Sequence, residues 1–194
     1  MKKLAEAWLP TKWGRFKIVT FGKSKEQYSP HIALVHEDFD PEKTITIRMH
    51  SECLTGDVFS SLRCDCGEQL HRSLEIIARD GGVLIYLRQE GRGIGISHKL
   101  DAYELQDKGL NTLEANVHLG FEPDERDYND AVQILKDLGI SRIRLLTNNP
   151  EKLEALKRQE IKVVERVPLM SESNSENEKY LEAKKKWMGH LFDS

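Results

Sequence analysis

Val83-Leu84-Ile85-Tyr86-Leu87 is a continuous apolar run of strand length. Gly81-Gly82 precedes it, and Arg88-Gln89-Glu90-Gly91-Arg92-Gly93-Ile94-Gly95 follows it. A short run without alternation fits a strand covered on both faces. Upstream, Leu70, Leu74, Ile77 and Ala78 fall at i, i+4, i+7 and i+8, so Glu68 to Asp80 reads as an amphipathic helix ended by the glycine pair. Downstream, the glycine-rich turn leads into a helix over Ser97 to Lys108. Helix, buried strand, turn and helix in succession define an α/β pattern.

The pattern continues outward from there. Ala131, Val132, Ile134, Leu135 and Leu138 mark a helix closed by Gly139, and Arg142 to Thr147 is a strand. Pro150 opens a helix over Glu151 to Gln159, and Ile161 to Val167 is the last strand. Such alternation argues for a largely parallel sheet. The first fifty residues are strand-rich instead, with strands at Arg15 to Phe21, His31 to His36 and Thr44 to His50 and a turn at Pro10 to Gly14. Ser171 to Glu178 reads as a polar loop and Tyr180 to Leu191 as a lysine-rich helix. The expected organisation is one domain over residues 1–170, with 171–194 docked on it.

Composition narrows the class. The 194 residues carry a net charge of −3, with 39% hydrophobic and 31% charged side chains, which is ordinary for a globular protein. The balance gives no pull toward nucleic acid or membrane. No apolar run approaches a bilayer span, and the N-terminus lacks a signal-peptide core, so a cytoplasmic protein with reduced thiols is expected.

All three cysteines lie in His50-Ser51-Glu52-Cys53-Leu54-Thr55-Gly56-Asp57 and Ser61-Leu62-Arg63-Cys64-Asp65-Cys66-Gly67. An odd count argues against a disulfide framework. Cysteine also serves as a small core hydrophobe, but the neighbours Glu52, Thr55, Asp57, Arg63 and Asp65 are polar. Thiolates binding zinc is the better reading. A fourth position would go either to His50, closing a structural site, or to water, as in a catalytic one.

Residues 88–95 combine arginines and glycines between a strand and a helix, where main-chain N–H groups and guanidinium groups favour anions. Thr147-Asn148-Asn149-Pro150-Glu151-Lys152 is a second strand-to-helix junction, and such junctions line the ligand crevice of an open sheet. Asp124-Glu125-Arg126-Asp127-Tyr128 is a charged knot in which Asp124 or Asp127 can act as a base and Arg126 can meet phosphate. The same knot also reads as a solvated loop, and Tyr103 as a core aromatic.

The motifs His-Ser-Glu-Cys-Leu-Thr-Gly-Asp, Arg-Cys-Asp-Cys-Gly, Arg-Gln-Glu-Gly-Arg-Gly-Ile-Gly and Leu-Leu-Thr-Asn-Asn-Pro occur in this order. Together they closely resemble GTP cyclohydrolase II of riboflavin biosynthesis, in its stand-alone form. The resemblance implies a three-layer α/β/α arrangement with a mixed sheet, usually in a homodimer. It implies one zinc ion on Cys53, Cys64 and Cys66 with water in the fourth place, and magnesium with the triphosphate. It implies GTP contacts from Arg48, Met49, His50, Ser51, Glu52, Gln69, Glu90, Gly91, Arg92, Thr112, Thr147 and Lys152. Asp124 would be the proton acceptor, Arg126 would be nucleophilic or phosphate-directed, and Tyr103 would lie close to the base. The reaction implied is hydrolysis of GTP to 2,5-diamino-6-ribosylamino-4(3H)-pyrimidinone 5′-phosphate, formate and pyrophosphate. Two rivals share these residues: a relative that stops at the formamide, and a non-enzymatic zinc module that binds nucleic acid.

Overall fold

The computed structural model describes residues 1–171, 173–187 and 189–191. Its strands are β1 (Lys2–Thr11), β2 (Gly14–Gly22), β3 (His31–His36), β4 (Ile45–Ser51), β5 (Val83–Leu87), β6 (Arg142–Leu146) and β7 (Lys162–Val167). Among the described residues they form one seven-stranded sheet in the order β1-β2-β3-β5-β4-β6-β7. From β1 to β5 the pairing is antiparallel, and from β5 through β4 and β6 to β7 it is parallel. The sheet is therefore mixed, and the largely parallel one expected from alternation is found only in its second half. Short loops join β1, β2 and β3, and a short connection can only return a strand antiparallel.

Seven helices complete the described chain: α1 (Leu54–Asp57), α2 (Cys66–Asp80), α3 (Gly95–Asp107), α4 (Thr112–His118), α5 (Asn129–Asp137), α6 (Pro150–Lys157) and α7 (Glu178–Trp187). A 3-10 turn, Glu90–Gly93, sits between β5 and α3. The sequence does not announce β1, because nearly all of its residues are exposed and no alternation marks it. The ladder to β2 holds it, and Pro10 is tolerated because the strand lies at the sheet edge. The turn expected over Pro10 to Gly14 shrinks accordingly to Lys12 and Trp13. The helix expected from Glu68 begins two residues earlier, at Cys66. The C-terminal helix ends at Trp187 rather than Leu191. Residues 172, 188 and 192–194 of that tail lie outside the described residues.

The strands alternate between two apolar clusters. Val83, Ile85 and Leu87 of β5 join Ile45, Ile47 and Met49 of β4 and Ala131, Ile134 and Leu135 of α5 on one face. Leu84 of β5 and Leu146 of β6 join Leu74 and Ile77 of α2 on the other. Helices thus cover both faces, in three layers. The chain leaves β4 through α2 to reach β5 on one side, and later returns through α5 to place β6 on the other. This reversal opens a crevice at the C-terminal ends of β4, β5 and β6, where ligands bind in sheets of this kind.

Ile85 is fully buried and pairs with Met49 on one side and Ala33 on the other. Ile85→Ala is expected to lower stability by about 2–5 kcal/mol in urea denaturation, with an unchanged denaturant slope.

Candidate active site

The crevice opens as a cleft of about 1050 Å³, continuous with solvent. Three chain segments build its floor. β4 brings Arg48, His50 and Ser51, β5 runs into Gln89 to Arg92, and β6 runs into Thr147 to Asn149.

The three sulfurs lie on one wall. Cys53 precedes α1, Cys66 is the first residue of α2, and Cys64 lies in the loop between. Their sulfur atoms all fall within 4.8 Å of one another, and Cys53 Sγ is 3.7 Å from Cys64 Sγ. Hydrogen bonds from Cys64 and Cys66 hold the Cys53 thiol far below its usual range. The same contacts push Cys64 up to about 11 and Cys66 well above the ordinary value. Sulfurs this close cannot all ionise against each other, so a cation among them is what the donor set fits. The backbone is shaped for this cluster: a Cβ on Gly56 would stand 2.8 Å from Cys64 Sγ and 3.2 Å from Cys53 Sγ.

His50 stands apart from the sulfurs. Its Nε2 donates to Asp57, 3.0 Å from Oδ1, and its ring stacks on Tyr86. Burial lowers its pKa more than Asp57 restores it, so the imidazole stays neutral. Its Nδ1 has no hydrogen-bond partner among the described residues. Asp57 also accepts from Cys53 N at 3.0 Å and from the Tyr86 hydroxyl at 2.7 Å, and so pins the cysteine loop to the sheet.

The cleft also gathers buried cations. Lys152 is buried, donates to the Met49 carbonyl at 2.7 Å, and faces Arg48, Arg126 and Lys184. Burial first, and then these like charges, push its pKa far down, and an anion would relieve both. Arg92 is held at φ 62°, between Gly91 at 62° and Gly93 at 99°. A non-glycine residue in that region costs of order 1–3 kcal/mol, a strain found where function fixes the chain. Its terminal nitrogens Nη1 and Nη2 are buried in the cleft without a partner among the described residues.

Arg126 lines the cleft, whereas Asp124 does not. Arg126 Nε donates to Asp124 Oδ1 at 2.8 Å, and a second contact joins Nη2 to Oδ2. Burial alone would raise the Asp124 pKa, but hydrogen bonds and charge from Arg126 hold the carboxyl below its usual range. The Tyr103 hydroxyl is 3.4 Å from Thr55 Oγ1, and its ring lies under Arg63. Burial raises its pKa, so the phenol stays protonated.

Most residues named from sequence meet in this cleft, Glu52, Gln69 and Thr112 included. Met49 does not line it, because its side chain is fully buried in the core. Several partners carry little signal in the sequence. Asp57 lies in the cysteine motif, where nothing in the sequence assigns it a role. Asp65 accepts from Gln69 at 2.7 Å and from Lys184 at 2.5 Å, and Gln69 in turn accepts from Arg48 at 2.6 Å. Lys184 belongs to the lysine-rich helix expected to dock on the domain, but nothing in its local pattern marks it out from the neighbouring lysines. Lys99 is buried beside Cys53 on a helix without an apolar stripe. Asn111-x-x-Glu114, a capping box, was the available signal for α4, whose first residue is Thr112.

A mixed-sheet α/β fold whose switch-point cleft joins a thiol cluster to buried cations defines a candidate metal site beside an anion site. The family model for GTP cyclohydrolase II matches residues 2–168, and the chain belongs to that family. It is 52% identical over 192 residues to the riboflavin biosynthesis protein RibBA of Bacillus cytotoxicus, covering 98% of this chain and 48% of that protein. It is 50% identical over 194 residues to the RibBA protein of Aquifex aeolicus, covering 99% and 48%. The chain thus spans about half the length of these curated relatives. A solved structure of RibBX, a two-domain 3,4-dihydroxy-2-butanone 4-phosphate synthase from A. baumannii, matches 88% of this chain and 40% of that one, at 19% identity and a TM-score of 0.45. No helix among the described residues is long and apolar enough to cross a membrane.

Helix propensity favours alanine over glycine by roughly 1 kcal/mol within a helix, yet Gly56 borders the sulfurs. Gly56→Ala is expected to lower the metal content of purified protein, measured by plasma emission, while far-UV circular dichroism stays unchanged.

Proposed function

We propose that this chain hydrolyses GTP to 2,5-diamino-6-ribosylamino-4(3H)-pyrimidinone 5′-phosphate, formate and pyrophosphate, serving riboflavin biosynthesis. The observation that carries the reading is a three-sulfur cluster and buried cations lining one cleft, in a chain of this family. Cys53, Cys64 and Cys66 would hold zinc. When bound, zinc supplies a Lewis acid that acidifies water at neutral pH, which the weakly electrophilic C8 of guanine requires.

The chain's own groups do the rest. Arg92, with both terminal nitrogens unpartnered among the described residues, and Lys152, depressed by its cationic neighbours, suit the triphosphate, which would carry magnesium. Arg48, His50, Ser51, Glu52, Gln69, Glu90, Gly91, Thr112 and Thr147 would complete the nucleotide contacts, with Met49 contributing through its main chain. Asp124 accepts a proton. Arg126 holds it ionised in the resting cleft, and phosphate drawing on Arg126 would weaken that hold. Burial would then raise the Asp124 pKa toward a useful base. Arg126 stays protonated and stabilises charge as phosphate departs, because a guanidinium is a poor nucleophile. Tyr103 offers its hydroxyl as a donor near the base. Residues 1–170 would form the catalytic unit, paired in a homodimer in the cytoplasm.

Incubation with GTP, zinc and magnesium tests the proposal. Purine absorbance should fall as formate and pyrophosphate appear. Absorbance loss without formate would mean that the reaction stops at the formamide. Cys64→Ser is expected to lose zinc and turnover together. Asp124→Ala is expected to keep zinc and lose about 10²-fold or more in kcat, and wild-type turnover by that variant would remove its assigned role.

A further inference from the structure

Lys99 projects from α3 into the cleft wall with 9% of its surface exposed. An ammonium has three donors and no acceptor. Here it has three acceptors: Glu90 Oε1 at 2.8 Å, Thr55 Oγ1 at 3.0 Å and Cys53 Sγ at 3.2 Å. Glu90 is engaged to match. Its Oε1 also accepts from Gly91 N at 2.7 Å, and its Oε2 accepts from Leu54 N at 2.5 Å. The turn lies directly on the lysine stem, since a Cβ on Gly91 would stand 3.1 Å from Lys99 Cβ. One side chain therefore bridges the loop that bears Cys53 and the turn that bears Arg92.

We propose that Lys99 is a positioning residue of the metal centre, holding the Cys53 thiolate in place by a charged hydrogen bond and tying it, through Glu90, to the phosphate-facing turn. This rests on the zinc reading above. Three thiolates around a divalent ion sum to one negative charge, which makes the ion a poor electrophile. An ammonium bonded to one sulfur cancels that charge and draws electron density off the ligand. Partners outside the ligand sphere are commonly worth 10–100-fold in metal affinity.

The test uses the zinc protein and its cobalt(II)-substituted form, with Lys99→Met and Lys99→Arg. Zinc affinity is read by competition with a chromogenic chelator, and the sulfur-to-cobalt charge-transfer band by absorption. Lys99→Met should bind zinc about 10–100-fold more weakly, and its charge-transfer band should move to longer wavelength as the sulfur loses its hydrogen bond. Lys99→Arg, which keeps the charge, should recover most of the affinity and fall between the two in wavelength. Thermal unfolding identifies the folded variants, and Lys99→Gln replaces Lys99→Met if the latter does not fold. Unchanged affinity and an unchanged band in the uncharged variant would overturn the inference while leaving the zinc reading intact. Failure of the unaltered protein itself to bind zinc or cobalt would overturn the zinc reading instead.

Discussion

The parallel register of β4 against β5 sets the geometry of everything above it. Ser51 pairs with Leu87, so both strands end at the same level of the sheet. The pairing continues one step further, with Glu52 N donating to Leu87 O at 2.9 Å. The cysteine loop and the glycine-rich turn therefore start side by side, although 36 positions separate Leu54 from Glu90. A slip of one residue would carry His50 and the loop to the opposite face of the sheet. The register is protected because β4 buries apolar Ile45, Ile47 and Met49 on one face and polar Thr46, Arg48 and His50 on the other, so a slip would exchange them.

Above that edge the protein gathers charges that do not satisfy one another. Three sulfurs crowd together, and Arg48, Arg126, Lys152 and Lys184 crowd together in the same cleft. Within the chain, only some of this is balanced, through Asp65, Glu90 and Asp124. A cation at the sulfurs and a polyanion at the arginines would settle both imbalances, and each ligand would stabilise the fold by mass action. The left-handed run at Gly91 to Gly93 belongs to the same economy, aiming the Arg92 guanidinium into the cleft at the cost of local strain.

The sequence showed what periodicity can encode. The helix α2, the strand β5 and the helix α5 are each half of a two-sided burial, and their spacing reports it. The strand β1 escaped because its stability comes from a hydrogen-bonded ladder, which leaves no pattern in exposed side chains. The cysteine loop and the glycine-rich turn were legible as motifs. Their mutual bonding through Glu90 and Lys99 was not, because a buried lysine or carboxylate looks like any surface charge until its partners arrive from distant positions. The face shared by Ile45, Ile47 and Met49 was also legible, and it explains why Met49 turns into the core rather than the cleft.

The central claim is that three thiolates and no histidine hold a metal at the edge of β4. X-ray absorption at the zinc edge of the metal-loaded protein tests this most directly. Three sulfur scatterers at about 2.3 Å with one oxygen neighbour is the predicted result. An imidazole signature from His50, or two or fewer sulfurs, would contradict it.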